Sequence, residues 1–184
     1  TLSQAEFAAW IARHADDVNR YELLGGRVIM NPPSSWPEGE GEGELYALIR
    51  SHVRVGGLGR VFGPSQGFDL PTGDTLAPDV SFISKSRWEA GPPPVEGKFL
   101  RIVPDLVVEV LSPSTERRDR IDKRMAYAQS GVREYWLVDL RRREATVYFQ
   151  ETEGQFDTGR VLRESDTLIS RVLAGFSAPI ADLL

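Results

Sequence analysis

Apolar residues in this chain recur in short runs broken by Gly and Pro, and the spacing inside the runs changes along the sequence. Ser3 and Glu6 have capping-box spacing, and Phe7, Trp10 and Ile11 follow on one face, which predicts a helix to about His14. Tyr21–Leu24 and Arg27–Met30 flank Gly25-Gly26, a hairpin signal. Residues 31–37 read as a loop, and the Gly/Glu alternation from Glu38 to Glu44 as a mobile acidic loop. Leu45, Leu48, Ile49, His52 and Val53 form a helical stripe from near Glu44 to Gly56-Gly57.

Strand patterns then take over: Arg60–Phe62, Gly67–Leu70, Leu76–Ile83 and, after a Pro-rich loop at 91–94, Val103–Leu111. Pro113-Ser114-Thr115 breaks the last of these and opens a helix from about Glu116 to Gln129, which Gly131 ends. Glu134–Asp139 reads as a buried strand, 140–144 as a charged turn, and Ala145–Gln150 as its hairpin partner. Short strands at 160–162 and 167–169 precede Phe176 and the terminal 180–184. This order predicts an α/β (α+β) fold: one mixed sheet with helices against it, preceded by an N-terminal helix and β-hairpin.

The length, 184 residues, suits a single domain spanning 1–184, with residues 1–20 as a helical extension. No Cys is present, which excludes disulfides, thiolate zinc sites and a cysteine nucleophile. No apolar run approaches the roughly 20 residues of a membrane span. The N-terminus lacks the basic-then-apolar order of a signal region, so a cytoplasmic location without membrane contact is expected. A net charge of −5 argues against a histone-like, non-specific nucleic-acid binder, while leaving room for a local basic surface.

Two strands carry a carboxylate among apolar neighbours. Asp79 follows Ala77-Pro78 and precedes Val80, and Glu109 lies between Val108 and Val110. A buried carboxylate must be paired, protonated or metal-bound, because an isolated buried charge is too costly. Both strands alternate little, so both of their faces are expected to be covered. Asp119, Lys123 and Tyr127 share one face of the following helix, from which Lys123 reaches toward Glu109. Two carboxylates and an ammonium suit phosphodiester hydrolysis, where a divalent ion and a cation offset developing negative charge. Each residue also has an ordinary reading: Asp79 as a turn cap, Glu109 paired with an Arg, Lys123 on a solvated face. His52 reads as a core-edge histidine, His14 as a helix-end residue, and Trp136 and Tyr135 as core. Arg141-Arg142-Arg143 and Asp139 read as turn residues, and Asp69 as a distant candidate beside Asp79. A two-carboxylate glycosidase lacks an accompanying aromatic cleft signature.

Several segments together resemble the bacterial Uma family of restriction-endonuclease-like proteins, within the PD-(D/E)XK nuclease superfamily. They are Tyr21–Gly26, Pro32-Pro33-Ser34, Pro78-Asp79-Val80, Val107–Ser114 and Gly131–Asp139. The resemblance implies a restriction-endonuclease-like fold, a mixed central sheet flanked by helices, and Mg²⁺-dependent DNA cleavage, with Mn²⁺ as substitute and a homodimer as the assembly. It maps Asp79 to the PD element and Glu109 to the acidic residue of the (D/E)XK element. Leu111 stands where the superfamily places Lys, and the resemblance moves that role to Lys123 in the next helix. It also implies a Glu on the first long helix as an extra metal contact, for which Glu44, Glu42 and Glu40 are candidates and Glu44 is the first choice. The basic residues Arg117, Arg120 and Arg124 around Lys123 are candidates for nucleic-acid contact. The displaced lysine, and acidic residues where relatives carry His, keep open a catalytically inactive nucleic-acid-binding or protein-interaction module on the same fold.

Overall fold

The computed structural model describes residues 1–14 and 19–184. The elements are α1 (Gln4–Ala12), β1 (Arg20–Leu24), β2 (Arg27–Asn31), α2 (Glu38–Gly56), β3 (Gly59–Phe62), β4 (Phe68–Asp69), β5 (Thr75–Leu76), β6 (Val80–Ser84) and α3 (Lys85–Ala90). After β7 (Leu106–Val110) the chain runs through α4 (Glu116–Arg118), a π-helical turn (Asp119–Lys123) and α5 (Arg124–Ser130). Strands β8 (Glu134–Asp139), β9 (Glu144–Thr152), β10 (Gln155–Phe156), β11 (Arg160–Arg163), β12 (Thr167–Ile169) and β13 (Ser177–Pro179) complete it.

The main sheet has the order β10-β9-β8-β7-β6-β3, with β11 also on β9. Strands β7 and β8 pair in parallel, joined by the helical crossover, while β3–β6, β6–β7 and β8–β9 are antiparallel. A smaller sheet, β2-β1-β5-β4, carries the hairpin that Gly25-Gly26 turns, both glycines having positive φ as a two-residue turn requires. This is the mixed, helix-flanked sheet expected.

Both faces of β7 are covered, which explains why its sequence barely alternates. Leu106, Val108 and Val110 join α2 (Leu45, Ile49, Val53) and the C-terminal segment (Leu173, Phe176) in one core. Val107 faces the second core with Tyr127, Tyr135 and Leu76. Strand alternation puts Glu109 on that second face, beneath the crossover helix. The crossover docks through buried Ala126, Tyr127 and Ala128, and Tyr135 Oη donates to the Asp119 carbonyl at 3.0 Å.

Three local expectations need correction. The Glu38–Glu44 run is not a loop but the first two turns of α2. Gly weakens a helix, yet tertiary contact recovers the loss. Glu38 and Glu40 sit at the positive end of the helix dipole. Ser35 Oγ donates to Glu38, Trp36 Nε1 to Glu40 and Ser34 Oγ to Glu42. Gly41 packs so closely under Leu140 that a Cβ there would lie 2.5 Å from Leu140 Cδ1. Second, Asp79 is not inside a strand but one residue before β6, at its open end. Third, the 116–129 helix is not regular, because the π turn interrupts it and it runs to Ser130. The capping box of α1 is present, although that helix stops at Ala12.

Candidate functional site

Strands β6 and β7 lie side by side, with Val80 opposite Val108. That register sets Asp79, just ahead of β6, beside the end of β7, and the Val110 N–H donates to Asp79 Oδ2 at 2.8 Å. Glu109 is one residue away. Both carboxylates line a cleft of about 250 Å³ whose other walls are the 31–35 loop, the first turns of α2 and the 112–115 turn.

Lys123 comes to this point from the π turn. Its Nζ lies 3.0 Å from Glu109 Oε1, 3.0 Å from Glu22 Oε1 and 3.7 Å from Asp119 Oδ1. Tyr127, one turn on, donates to the same Glu109 oxygen at 2.8 Å. Among the described residues Glu109 Oε2 takes no hydrogen bond, while Oε1 takes two. Lys123 and Tyr127, one turn apart, thus meet on one oxygen of Glu109, with Asp119 beside Lys123. Short π turns are frequent at functional positions, and this one carries two buried charged residues of the cluster.

Glu22 was not anticipated. It is fully buried on β1, and its Oε1 accepts from the Ala77 N–H and its Oε2 from Asn31 Nδ2, each at 2.8 Å. Arg118 Nη2 donates to Asn31 Oδ1 at 2.7 Å, which extends the network to the cleft rim. A lone carboxylate between Tyr21 and Leu23 was the available signal, and only the pairing of the small sheet with the chain leading into β6 gives it meaning.

Four or more acidic groups around one ammonium leave the cluster short of positive charge. Burial, then the charge of Glu42, pushes the Asp79 carboxyl up to about 7, although the Val110 N–H, Lys123 and Arg20 oppose the rise. Burial lifts Glu109 well above the usual carboxylate range, Lys123 opposes, and Asp79, Asp119 and Glu22 add to the rise. Lys123 is held above its ordinary value: burial disfavours its charge, but the surrounding Glu109, Glu22, Asp119 and Asp79 outweigh it. Burial also raises Glu22, yet Lys123 and the Ala77 and Asn31 donors bring it below normal. Asp119 Oδ1 is buried without a hydrogen-bond partner, although Lys123 Nζ stands 3.7 Å away. Arg20 approaches Asp79 Oδ1 only to 3.9 Å.

The acidic wall of the cleft comes from Glu38 and Glu42, not Glu44. Glu44 is exposed on the next face of α2 and does not line the cleft. Glu38 is buried by its contact with Arg141. The basic candidates also divide. Arg117 is exposed, Arg120 is paired with Glu116 at 2.9 Å, and Arg124 lies over the Tyr148 ring at 5.1 Å, and none of the three lines the cleft. The cations that do line it are Arg20, Arg118, Lys123 and Arg141. Asp69 accepts from Thr75 in the small sheet, away from the cleft. His52 bonds the Ala174 carbonyl, and Trp136 and Tyr135 are core. Asp139 caps the following turn through the Arg141 and Arg142 N–H groups.

Among the described residues no helix is long and apolar enough to cross a membrane. None of the curated proteins compared with the chain matches it. A solved structure does: a crystal structure described as a putative nuclease belonging to DUF820 from Anabaena variabilis ATCC 29413. It aligns with a TM-score of 0.73 at 21% identity and covers 89% of this chain and 88% of that one, a likeness of fold. The sequence profile of the Uma2 family, described as "Putative restriction endonuclease", matches residues 5–181. The chain belongs to that family.

Proposed function

We propose that the cleft of this Uma2-family chain is a Mg²⁺-dependent nuclease site that hydrolyses phosphodiester bonds in DNA. One observation carries the reading: Asp79 and Glu109 meet at the open end of adjacent strands, with the Lys123 ammonium held behind Glu109. Mg²⁺ is usually held by one or two carboxylates, with waters and substrate phosphate filling the rest of its octahedron. The residues fit that pattern. Asp79 Oδ1 and Glu109 Oε2 are the oxygens their protein donors leave aside, and Glu42 stands on the facing wall. Among the described residues no three such groups come together as a ready-made metal cage, so an ion here would rest on the two carboxylates, water and substrate. When bound, the ion supplies a Lewis acid that polarises the phosphoryl group and acidifies water.

The chain's own contributions follow from geometry. The Val110 N–H fixes the rotamer of Asp79, and Lys123 and Tyr127 fix that of Glu109. Lys123, whose positive charge its acidic neighbours favour, stands behind Glu109. Arg20, Arg118 and Arg141 line the cleft and are the guanidinium groups available to non-bridging phosphate oxygens there, beside their bonds to Pro64, Asn31 and Glu38.

The test is plasmid cleavage in Mg²⁺ or Mn²⁺ by the wild type beside Asp79→Asn and Glu109→Gln. Each substitution is expected to lower the cleavage rate at least 100-fold. Cleavage that persists in both variants removes the site assignment. DNA binding without cleavage in the wild type favours the inactive binding module, a reading that Leu111 at the usual lysine position supports.

A further inference from the structure

Apart from the cleft, a groove of about 630 Å³ runs between the C-terminal half of α2 and the edge strand β3. Its charged lining is Arg50, Arg54, Arg60, Lys85 and Glu89. Four cations against one anion is a local inversion of a chain whose net charge is −5. Among the described residues Arg50, Arg54 and Arg60 make no ion pair, and Lys85 reaches Glu89 only at 4.0 Å, with both side chains exposed. Such an exposed pair contributes little, so the groove's charge is uncompensated.

The groove also holds a prearranged guanidinium. Arg60 stacks over the Trp88 ring at 4.2 Å, and Trp88 in turn stacks on Phe62. A guanidinium held by its face keeps its N–H edge for bidentate contact with an oxyanion, at reduced entropic cost.

The groove is continuous with the cleft. Glu42, Tyr46, Arg50 and Arg54 stand four residues apart on α2 and form one stripe along the helix. Glu42 lines the cleft, Arg50 and Arg54 line the groove, and a shallow depression lined by Glu42, Tyr46, Phe62 and Gly63 joins them. Arg50 lies 5.9 Å from the Tyr46 ring centroid. At 1.5 Å per residue, Glu42 to Arg54 is about 18 Å, the length of roughly five nucleotides of one B-form strand.

We infer that one nucleic-acid strand leaves the cleft along the α2 stripe and is held through its phosphates in the Arg50/Arg54/Arg60/Lys85 groove. This rests on the nuclease reading of the cleft and adds the path of the strand. The acidic end of the stripe sits where a metal ion is proposed, and the basic end sits where only phosphate charge needs matching. Trp88 and Phe62 line the groove beside that path.

The experiment measures binding without cleavage. A fluorescein-labelled 20-nucleotide single strand is titrated in EDTA by anisotropy between 50 and 300 mM NaCl. The triple variant Arg50→Gln/Arg54→Gln/Arg60→Gln is expected to bind at least 10-fold more weakly at 100 mM. Its slope of log K against log salt should fall by about 2, since three phosphate contacts on a single strand contribute roughly 0.7 each. Arg160→Gln, an exposed cation on β11, should change neither quantity. A 5-iodouracil strand should photocross-link to Trp88 in the wild type. Because all three Arg are exposed, melting curves should coincide, and Arg60→Gln alone gives a second reading with a slope change near 0.7. Unchanged affinity and slope in the triple variant, no binding by the wild type, or equal displacement by polyglutamate each overturns the inference. Since metal is absent, loss of the groove effect is separable from failure of the cleavage reading.

Discussion

Replacing Asp79 by Asn should abolish cleavage and at the same time stabilise the metal-free protein, increasingly so as pH rises. The residue is 7% exposed, and burial pushes its carboxyl up to about 7 in the fold against an ordinary 3.8. The folded protein therefore holds the Asp79 proton more tightly than the unfolded chain does. Between pH 3.8 and about 7 the native state binds more protons than the unfolded state, so unfolding free energy falls as pH rises through that window and levels off above it. At 1.36 kcal/mol per pH unit the whole window is worth about 4 kcal/mol, of which about 3 kcal/mol falls between pH 5 and pH 8. Asn retains an acceptor for the Val110 N–H and carries no charge, so it mimics the protonated side chain at every pH. For a chain of this size 1 kcal/mol moves Tm by about 2–4 °C, so the Tm advantage of Asp79→Asn should grow by roughly 6–12 °C from pH 5 to pH 8. Melting curves in EDTA at four pH values measure this. A Tm difference between the two proteins that is constant with pH refutes the argument. Mg²⁺ at 100 times its Kd should restore about 2.7 kcal/mol to the wild type at pH 8 and little to the variant.

Lys123→Met leaves Glu22, Glu109 and Asp119 buried without their cation and should cost about 3–5 kcal/mol in urea unfolding. Adding Glu22→Gln should recover part of that loss. Tyr127→Phe removes a buried donor to Glu109 and should cost about 1–3 kcal/mol, with the shift read from the urea midpoint at unchanged m value. Asp105→Asn should destabilise by about 2–4 kcal/mol near neutral pH, the opposite sign to Asp79→Asn, because Arg87 and Arg133 lose their partner.

The sheet was legible because it is written locally. The near-continuous apolar run of β7, the Gly25-Gly26 turn and the capping box at Ser3 each specify one element without help from elsewhere. Glu109 and the Asp119–Lys123–Tyr127 face were legible for the same reason, since strand alternation and helical spacing decide where those side chains point. The acidic wall was not. Gly at every second position offsets the helical propensity of the Glu residues, and α2 extends through the run because Ser34, Trp36, Leu140 and Arg141 meet it from outside. The shift from Glu44 to Glu42 and Glu38 follows from the extra turns, which fix the helical phase. Glu22, Arg20 and Arg141 reach the cleft by contacts far apart in sequence, and no local rule carries that information. The π turn likewise leaves no mark in the residue pattern.

Two Pro-Asp units open neighbouring strands of this sheet, and their surroundings separate support from function. Asp105 accepts the Ser84 N–H at 2.7 Å on one oxygen and has Arg87 at 3.3 Å and Arg133 at 3.4 Å on the other. That is what a buried carboxylate needs to be tolerated. Asp79 has one N–H and an Arg at 3.9 Å, and the charges of Glu42 and Glu109 stand against those of Lys123 and Arg20. The same chain can thus neutralise a buried Asp and does so 26 residues later. At Asp79 it leaves the charge unmatched inside an open cleft, next to a lysine already shared by Glu22 and Glu109. Stability alone gives no reason for that arrangement, whereas the proposed site, taking a cation and a phosphate together, supplies one.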